Sequence, residues 1–384
     1  ITYDASGDPV AVGPGTDGQV LTSTGAGSPP AFEDAAGGTK SFRNLVINGA
    51  MQIAQRGTSS TADGYKTVDR FQVNYGGNDE APTQAQVALA INNAATDLGF
   101  RYALKVTNGN QTGGAGAADY SRIRYKFESQ ELAQSGWNYK SASSYITMSF
   151  WCKSSVSQNF YVQWKTSDAD YNYVFETGSL SANTWTKVTH SIPGNANLVF
   201  DNDTGEGLYI AWHLFRGTDN TGSMSLNTWA AENASLLTPD QTSTWYTTND
   251  ATFELTGVQI EVGSTATDFE HRHRSEELVR AQRYFFRSDN YGTNCSVGPV
   301  RGVAYSTTEM FAHIQYPQPM RNTPTLTVAD HDGTGGGVHK IGSPNVTGVS
   351  VDRYGPTSGC RITKSSAFTA GSGYLFTYQV DADL

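Results

Sequence analysis

The side chains best suited to chemistry in this chain include two closely spaced histidines, His271 and His273, in the segment EHRHRS. In an extended segment both imidazoles point to one face, and two imidazoles are too few for a typical structural zinc site. Three chains around one axis would bring three such pairs together. We interpret the pair as polar residues of a charged connector, and we predict no metal.

Carboxylates are the second set of candidates, because an enzyme that cleaves glycans needs two of them flanking the scissile bond. Most of the pairs lie in turns rich in Gly, Asn and Ser, where Asp normally caps its own backbone. The turn DNDTGEG, residues 201–207, lacks the full spacing of a calcium loop. We therefore predict no catalytic residue and no cofactor, and a chain that is not an enzyme. The pairs are Asp168 with Asp170, Asp201 with Asp203, Glu254 with Glu261, and Asp330 with Asp332.

Other chemical signatures are missing from the sequence. It has no GxGxxG after a strand, no GxxxxGK[ST], no GxSxG and no HExxH. Its three cysteines, Cys152, Cys295 and Cys360, are odd in number and widely spaced, which indicates neither a disulfide framework nor a CxxC metal site. At most one bridge can form, and we expect none.

Charge and hydropathy exclude further classes of function. The 384 residues carry a net charge of −10, from 26 Lys and Arg against 36 Asp and Glu, which disfavours nucleic acid as a partner. No run approaches the roughly 18 apolar residues of a membrane span, so we predict no membrane insertion. The chain starts at Ile1 without a Met, and we expect it to be a piece of a longer chain.

Abundant aromatic residues and glycines predict an all-β protein, with strands joined by turns. In Tyr145 to Lys153 the apolar side chains fall on one face, which predicts a half-buried strand. In Thr252 to Val262 the apolar set changes face around Gly257, as at a β-bulge. Short strands at such intervals favour a β-sandwich or jelly roll. Further predicted strands are 160–166, 171–177, 184–192, 208–215, 300–306, 310–316, 325–329 and 374–380.

One helix is clear. It is predicted from Ser275 to about Phe286, with Ser275 as N-cap and an apolar stripe that includes Leu278 and Phe285. Residues 86–98 fit a second helix or a strand, and the sequence leaves both open.

These elements predict four regions. Residues 1–40 form an extended segment rich in Gly, Pro and Ser, either a flexible linker or small turns and strands ordered by pairing with other chains. Residues 41–274 form the sandwich, 275–287 a connecting helix, and 288–384 a smaller C-terminal β domain.

Aromatic residues set among Asn, Gln, Asp, Ser and Thr are suited to stacking on sugar rings and hydrogen-bonding their hydroxyls. We predict a glycan site in loops of the C-terminal domain, with the outer sheet of the sandwich as second choice. The predicted contacts are Tyr291, Tyr305 and Tyr354 in the first place, and Trp151 and Tyr161 in the second.

Three stretches together resemble bacteriophage tail-fibre and receptor-binding proteins, especially those of marine and cyanobacterial phages. The first is GTDGQVLTSTGAGSPPAFED at 15–34, which is similar to a fibre shaft or linker formula. The second is NLVINGAMQIAQRGTS at 44–59, followed by TVDRFQV at 67–73. The third runs from FELTGVQIEVGSTATDFEHRHRSEELVRAQRYFF at 253–286 to QYPQPMRNTPTLTV at 315–328. Ala281 stands where this family often carries Cys, and Phe285-Phe286 where Tyr is common.

The resemblance implies an extracellular virion component. It implies a homotrimeric fibre with a jelly-roll domain similar to carbohydrate-binding modules, joined to other tail proteins through the N-terminal segment. We therefore expect a tail fibre that binds a host surface polysaccharide, lipopolysaccharide or capsule, with Leu278 and Phe285 facing partner chains. The alternatives are a glycan depolymerase tailspike and a purely structural fibre or adaptor protein.

Overall fold

The computed structural model describes residues 2–4, 6–15, 19–23, 28–34, 43–288, 300–330, 335–340, 342–352 and 355–384. The chain divides into two compact units, residues 1–43 and residues 44–384. Among the described residues, no helix is both long enough and apolar enough to cross a membrane.

The first unit contains short strands that pair with one another within the chain. Two antiparallel pairs form, β1 with β2 and β3 with β4. The strands are β1 Thr2–Tyr3, β2 Pro9–Val10, β3 Gln19–Thr22 and β4 Ala31–Asp34.

The second unit begins with twelve strands, among which four short helices and one 3₁₀ turn are interspersed. The strands are β5 Ser59–Ser60, β6 Phe71–Gly76, β7 Thr83–Ala88, β8 Tyr102–Thr107, β9 Tyr120–Glu128, β10 Tyr145–Ser154, β11 Gln158–Thr166, β12 Tyr171–Leu180, β13 Thr186–Pro193, β14 Glu206–Arg216, β15 Ala230–Ala231 and β16 Thr252–Val262. The helices are α1 Ala94–Asp97, α2 Ser129–Ala133, α3 Thr244–Thr247 and α4 Arg274–Ala281, and the 3₁₀ turn is Thr218–Asn220. The open choice at 86–98 resolves into the end of β7 followed by α1.

These strands form two antiparallel six-stranded sheets, which confirms the predicted sandwich. The first sheet has the order β13-β10-β16-β8-β7-β5, and the second has β15-β12-β11-β14-β9-β6. Alternate side chains of both sheets point inward and form one core. On β11, for example, Phe160, Val162 and Trp164 lie in that core.

Strand β10 is buried more completely than the predicted half-buried strand. Thr147 and Ser149, on the face opposite the core, are only 1% and 4% exposed. Thr147 Oγ1 donates to Gly263 O (2.7 Å), where the chain leaves β16. From there it turns back beside β16, where Gln259 Nε2 donates to Asp268 O (3.2 Å). The alternation of side chains predicted the strand correctly. It did not predict the burial of the second face, because the segment after Gly263 that lies against this face is not part of β10.

The predicted bulge at Gly257 is confirmed. The pairing of β10 with β16 shifts register between Ser149, opposite Gln259, and Trp151, opposite Thr256. Gly257 has φ +61°, a conformation that favours glycine, and a Cβ there would lie 2.6 Å from Phe100 Cζ. The bulge therefore requires glycine on both conformational and steric grounds.

Two of the stretches that resemble tail-fibre proteins are in direct contact. Asn48 N donates to Glu277 Oε2 on α4 (2.6 Å), and Asn44 Nδ2 donates to Val258 O on β16 (3.2 Å). Arg272 Nη1 donates to Val46 O (3.1 Å) and forms an ion pair with Glu277 (3.3 Å). Because these partners lie more than 200 residues apart in sequence, the segment at 44–59 fixes α4 against the sandwich.

Helix α4 is shorter than predicted. Its N-cap is His273 rather than Ser275, since the His273 side chain accepts from Ser275 N. The helix ends at Ala281, and Phe285 begins the next strand by pairing with Asp381. Residues 282–286 therefore do not continue the helix, because backbone pairing with the C-terminal sheet outweighs their helical pattern.

The C-terminal strands surround a second hydrophobic core. Long strand β25 pairs with β17, β18, β20 and β21. The strands are β17 Phe285–Arg287, β18 Val300–Ala304, β19 Glu309–Gln315, β20 Thr325–Ala329, β21 Gly337–Lys340, β22 Val346–Thr347, β23 Ser350–Asp352, β24 Ser358–Thr363 and β25 Gly373–Asp381.

A buried ionic network joins this C-terminal region to the sandwich. Asp383 forms ion pairs with Arg70 (3.2 Å) and Arg56 (2.5 Å), and all three side chains are at most 9% exposed. Arg283 and Glu128 form a two-pronged pair, with both N–O distances 2.8 Å. The two cores are therefore linked by charges that are largely removed from water.

Candidate functional site

The outer face of the second sheet carries mostly polar side chains. Most of them are buried, whereas Arg122, Arg124, Lys126 and Lys165 are partly exposed. The side chains of this face alternate with core side chains along each strand, so they all point away from the first sheet. The strand register brings them into three rows. The first row is Glu176, Tyr161, His213, Arg122 and Asn74; the second is Val174, Gln163, Ala211, Arg124 and Gln72; the third is Asn172, Lys165, Tyr209 and Lys126.

A chain of hydrogen bonds crosses three strands of this face. Arg216 Nε donates to His213 Nδ1 (3.1 Å), which places the imidazole proton on Nε2. His213 Nε2 then donates to Gln163 Oε1 (2.9 Å), and Gln163 Nε2 donates to Asn172 Oδ1 (2.8 Å). Every donor and acceptor in this chain has a fixed direction, so the face is ordered before any ligand arrives.

The protonation state of His213 agrees with the direction of these hydrogen bonds. Burial, followed by the charge of Arg216, holds the pKa of His213 well below its usual value. The imidazole is therefore neutral at neutral pH and acts as a fixed relay of hydrogen bonds.

Aromatic rings and cations alternate on the same face. The Tyr209 ring lies 5.4 Å from the Arg124 guanidinium and 6.0 Å from Lys165 Nζ. The Tyr120 ring lies 5.3 Å from Arg122 and 5.1 Å from Arg216. Neighbouring cations hold these rings in one orientation. A ring must keep a fixed orientation if it is to stack on a flat ligand.

A polar groove of about 530 Å³ continues this face at one end of β11 and β12. Among its lining residues, Gln158 is buried, and its Oε1 accepts from Trp245 N (2.8 Å). Within the described ranges, Gln158 Nε2, Asn159 Oδ1 and Gln241 Oε1 have no hydrogen-bond partner. Buried polar atoms without partners are rare, and sugar hydroxyls are groups that can satisfy them.

Tyr161, a predicted glycan contact, points to the correct face but is 0% exposed. Its hydroxyl donates to Pro239 O and to the carboxylate of Asp240, so this loop lies over it. Burial, and then the bond to Asp240, raises the pKa of Tyr161. A segment about 80 residues away in sequence therefore covers the ring, so the predicted contact has no open surface in this structure.

Trp151 lies on the opposite sheet. It is half-buried and packs against Ala50, Ala95 and Phe100. The adjoining groove of about 250 Å³ is lined instead by Trp185, with Lys153 Nζ 5.1 Å from its ring.

Tyr305 is 77% exposed in the C-terminal region. It packs edge-on against Phe311, which is 44% exposed, at 6.3 Å between ring centroids. Tyr291 and Tyr354, predicted beside it, lie outside the described residues.

The two residues predicted to face partner chains are engaged within their own chain. Phe285 is 3% exposed and lies under the Arg56 guanidinium at 3.7 Å, so it has no free surface to present. Leu278 is partly buried against a small cluster that includes Ile47 and Tyr284.

The two histidines and several of the carboxylates singled out in the sequence have structural partners, and Asp332 lies outside the described residues. His271 Nε2 lies 2.8 Å from Leu98 O, and His273 caps α4. Asp168 accepts from Ser129 Oγ (2.7 Å), and Glu254 pairs with Lys153 (2.9 Å). Within the described ranges, no three His, Cys, Asp or Glu residues lie close enough together to hold a metal. Cys152 and Cys360 are free and buried, and Cys295 lies outside the described residues.

The outer face was largely missed by sequence reasoning. Strand alternation could have marked Arg122, Arg124 and Tyr209 as outward-facing residues. Only the pairing of β9 with β14, some 90 residues apart in sequence, brings them together.

No protein-family model matches the sequence, and none of the curated proteins does. Among solved structures, the chain is similar to the enzymatically active domain of tailspike protein 4 from bacteriophage CBA120, at 9% identity and a TM-score of 0.31. That alignment covers 57% of this chain and 21% of the tailspike chain, so this chain spans about a fifth of that protein.

Two smaller binding domains also align. The CBM22-2 xylan-binding domain of Paenibacillus barcinonensis Xyn10C has 13% identity and a TM-score of 0.26, covering 50% of this chain and 91% of that one. The N-terminal cellulose-binding domain of Cellulomonas fimi β-1,4-glucanase C has 12% identity and a TM-score of 0.26, covering 56% and 99%. At these identities and scores, no ligand can be transferred to this chain.

Proposed function

We propose that this chain is a glycan-binding component of a bacteriophage tail fibre, and that the outer face of the second sheet contacts the glycan. The observation that carries the proposal is the ordered polar face itself, with its directed hydrogen bonds and its rings flanked by cations. Tyr209 is 9% exposed at this face, and its ring lies beside Arg124 and Lys165. Flat rings beside fixed polar groups suit a sugar, which presents apolar ring faces and hydroxyl edges.

The proposal is for binding without cleavage. Among the carboxylates weighed above, Glu254 and Asp168 are engaged in an ion pair and a hydrogen bond of the fold. On the outer face, the Glu176 carboxylate accepts from Asn159 Nδ2 (2.9 Å). A depolymerase needs a pair of carboxylates free to flank one bond.

The virion role and the trimer rest on the sequence resemblance. In a trimer, three copies of one weak site act together, and tethered sites raise the overall affinity by roughly 10²–10⁴ without a new contact. A shallow face of this kind is then sufficient for adhesion. The tip around Tyr305 is the second place where such a contact is expected.

Binding to an array of purified bacterial lipopolysaccharides and capsular polysaccharides tests the proposal. We expect retention on a subset of these glycans and an unchanged polymer size after prolonged incubation. Falling polymer size would establish the depolymerase alternative. Absence of binding, together with tight binding to another virion protein, would establish the structural alternative.

Light scattering on the purified protein tests the trimer separately. We expect a mass three times that of one chain. A monodisperse monomer at micromolar concentration would contradict the trimer.

A further inference from the structure

Three arginines lie on the outer face of the second sheet: Arg122, Arg124 and Arg216. Among the described residues, none of the three forms an ion pair within 4.0 Å. By contrast, Lys126 pairs with Glu206 (2.7 Å) and Lys165 with Asp170 (3.1 Å) on the same face. Three unneutralised guanidinium groups on one sheet face are unexpected in a chain of net charge −10.

Arg122 has the fewest contacts of the three. Its Nε is buried and has no hydrogen-bond partner in the part of the chain that the structure describes, and its side chain contacts the Tyr120 ring. The carboxylate of Asp63 raises the pKa of Arg122 through its charge, but it accepts hydrogen bonds from Asn74 and from Tyr75 N (3.1 Å). A buried donor without a partner is costly, so an acceptor at this position would relieve a penalty as well as add a bond.

Arg124 and Arg216 are held in place by neutral groups. Arg124 Nε donates to Asn74 Oδ1 (2.7 Å), and its Nη2 donates to Gln72 Oε1 (3.0 Å). Arg216 donates to His213, and it shares the Tyr120 ring with Arg122. Amides and a neutral imidazole orient a guanidinium without cancelling its charge, so the positive potential of the cluster is retained.

The cluster is also under mutual repulsion. Burial, and then the charge of Arg124, lowers the pKa of Arg122. Burial, and then the charge of Arg122, lowers the pKa of Arg216 to about 10. Arg122 and Arg216 remain charged at neutral pH, and an anion placed beside them would reduce the repulsion.

We propose that Arg122, Arg124 and Arg216 bind the acidic group of a glycan, a carboxylate or a phosphate, on the outer face of the second sheet. This inference rests on the proposed function and narrows its ligand to an acidic saccharide. The rings of Tyr120 and Tyr209 then lie beside the anion, where they can contact the sugar that carries it. Neutral glycans would leave the arginines unpaired and would bind more weakly.

Matched polysaccharides test this selectivity with the full chain. Immobilised polygalacturonate supplies carboxylates, and its carboxyl-reduced form is the neutral counterpart. Phosphomannan supplies phosphates, and its dephosphorylated form is the counterpart. We expect tighter binding to at least one acidic polymer than to its counterpart. We also expect weaker binding at high salt, since salt screens the attraction that brings a charged polymer to the protein.

Arg122→Gln is the decisive variant, because the contacts of Arg122 predict no structural loss. We expect roughly tenfold weaker binding to the acidic polymer, the effect of losing a charge-assisted bond. The melting temperature should stay equal or rise, since repulsion is relieved. Lys140→Gln is the matched control: Lys140 is exposed, its one described hydrogen bond is 3.4 Å long, and the variant removes the same charge.

Three results would overturn the inference. They are equal binding of an acidic polymer and its neutral form, undiminished binding by Arg122→Gln, and no binding to either acidic polymer. The glycan array tests the proposed function separately from this inference. Binding of neutral glycans on the array would support glycan binding even if the arginines do not bind an acidic group.

Discussion

Asp69 is an ionisable residue that folding removes from water. Its carboxylate accepts from Gln55 N (2.9 Å) and Gln55 Nε2 (2.5 Å), and it is 2% exposed. Burial raises the pKa of Asp69 to about 6, although the charge of Arg56 acts in the opposite direction. The ionised form is therefore less favourable in the folded protein than in the unfolded chain.

This shift predicts a pH dependence of stability. Between the unfolded pKa near 4 and about pH 6, the folded protein binds more protons, so the Asp69 contribution to stability rises as the pH falls from 7 to 5. We expect the free energy of unfolding to increase by on the order of 1 kcal/mol relative to Asp69→Asn over this range. Denaturant unfolding of both proteins at each pH measures it. A difference between the two that does not change with pH would contradict the assignment.

Gly257 forms the bulge that shapes strand β16. Gly257→Ala places a Cβ 2.6 Å from Phe100 Cζ and keeps φ at +61°, so both overpacking and backbone strain oppose it. We expect a loss of about 2–4 kcal/mol in the free energy of unfolding.

Gly178→Ala is the matched control for this change. Gly178 has φ +73° and nothing within 4 Å of its Cβ position, so only backbone strain applies, about 1–2 kcal/mol. Equal losses in the two variants would show that contact with Phe100 does not matter.

The sequence predicted the elements better than the surfaces they form. Alternation located β10 and the bulge of β16, because both signals are local. It did not predict the burial of Thr147, because the segment after Gly263 that contacts it lies outside β10. The Arg122 cluster was missed for the same reason, since residues from β9 and β14 combine only through strand pairing. Tyr161 was assigned to the correct face, but its cover by Asp240 is a tertiary feature.

The ion pairs of Asp383 act at the scale of the whole second unit. Asp383→Ala would leave the fully buried Arg70 side chain without an acidic partner. Breaking a buried pair in this way typically costs about 3–5 kcal/mol. We expect the C-terminal region to unfold at a lower temperature than the sandwich, seen as a second calorimetric transition.

Asp381→Ala supplies the comparison. Asp381 pairs with Arg56 (2.9 Å), but its side chain is 46% exposed, so the loss should be about 1 kcal/mol or less. A single transition in Asp383→Ala at the wild-type temperature would contradict the role given to this network.

The central claim is that the sandwich, through the outer face of its second sheet, binds a glycan. Its most direct test is the affinity of Tyr209→Leu and Tyr305→Leu for the polysaccharide that wild type binds best on the array. The same chemical change is made on the sandwich face and on the exposed C-terminal ring. We predict that Tyr209→Leu weakens binding about tenfold, the effect of losing a stacking ring, and that Tyr305→Leu changes it less than about twofold. Loss of binding in Tyr305→Leu with full binding in Tyr209→Leu would contradict the claim and move the site to the C-terminal region.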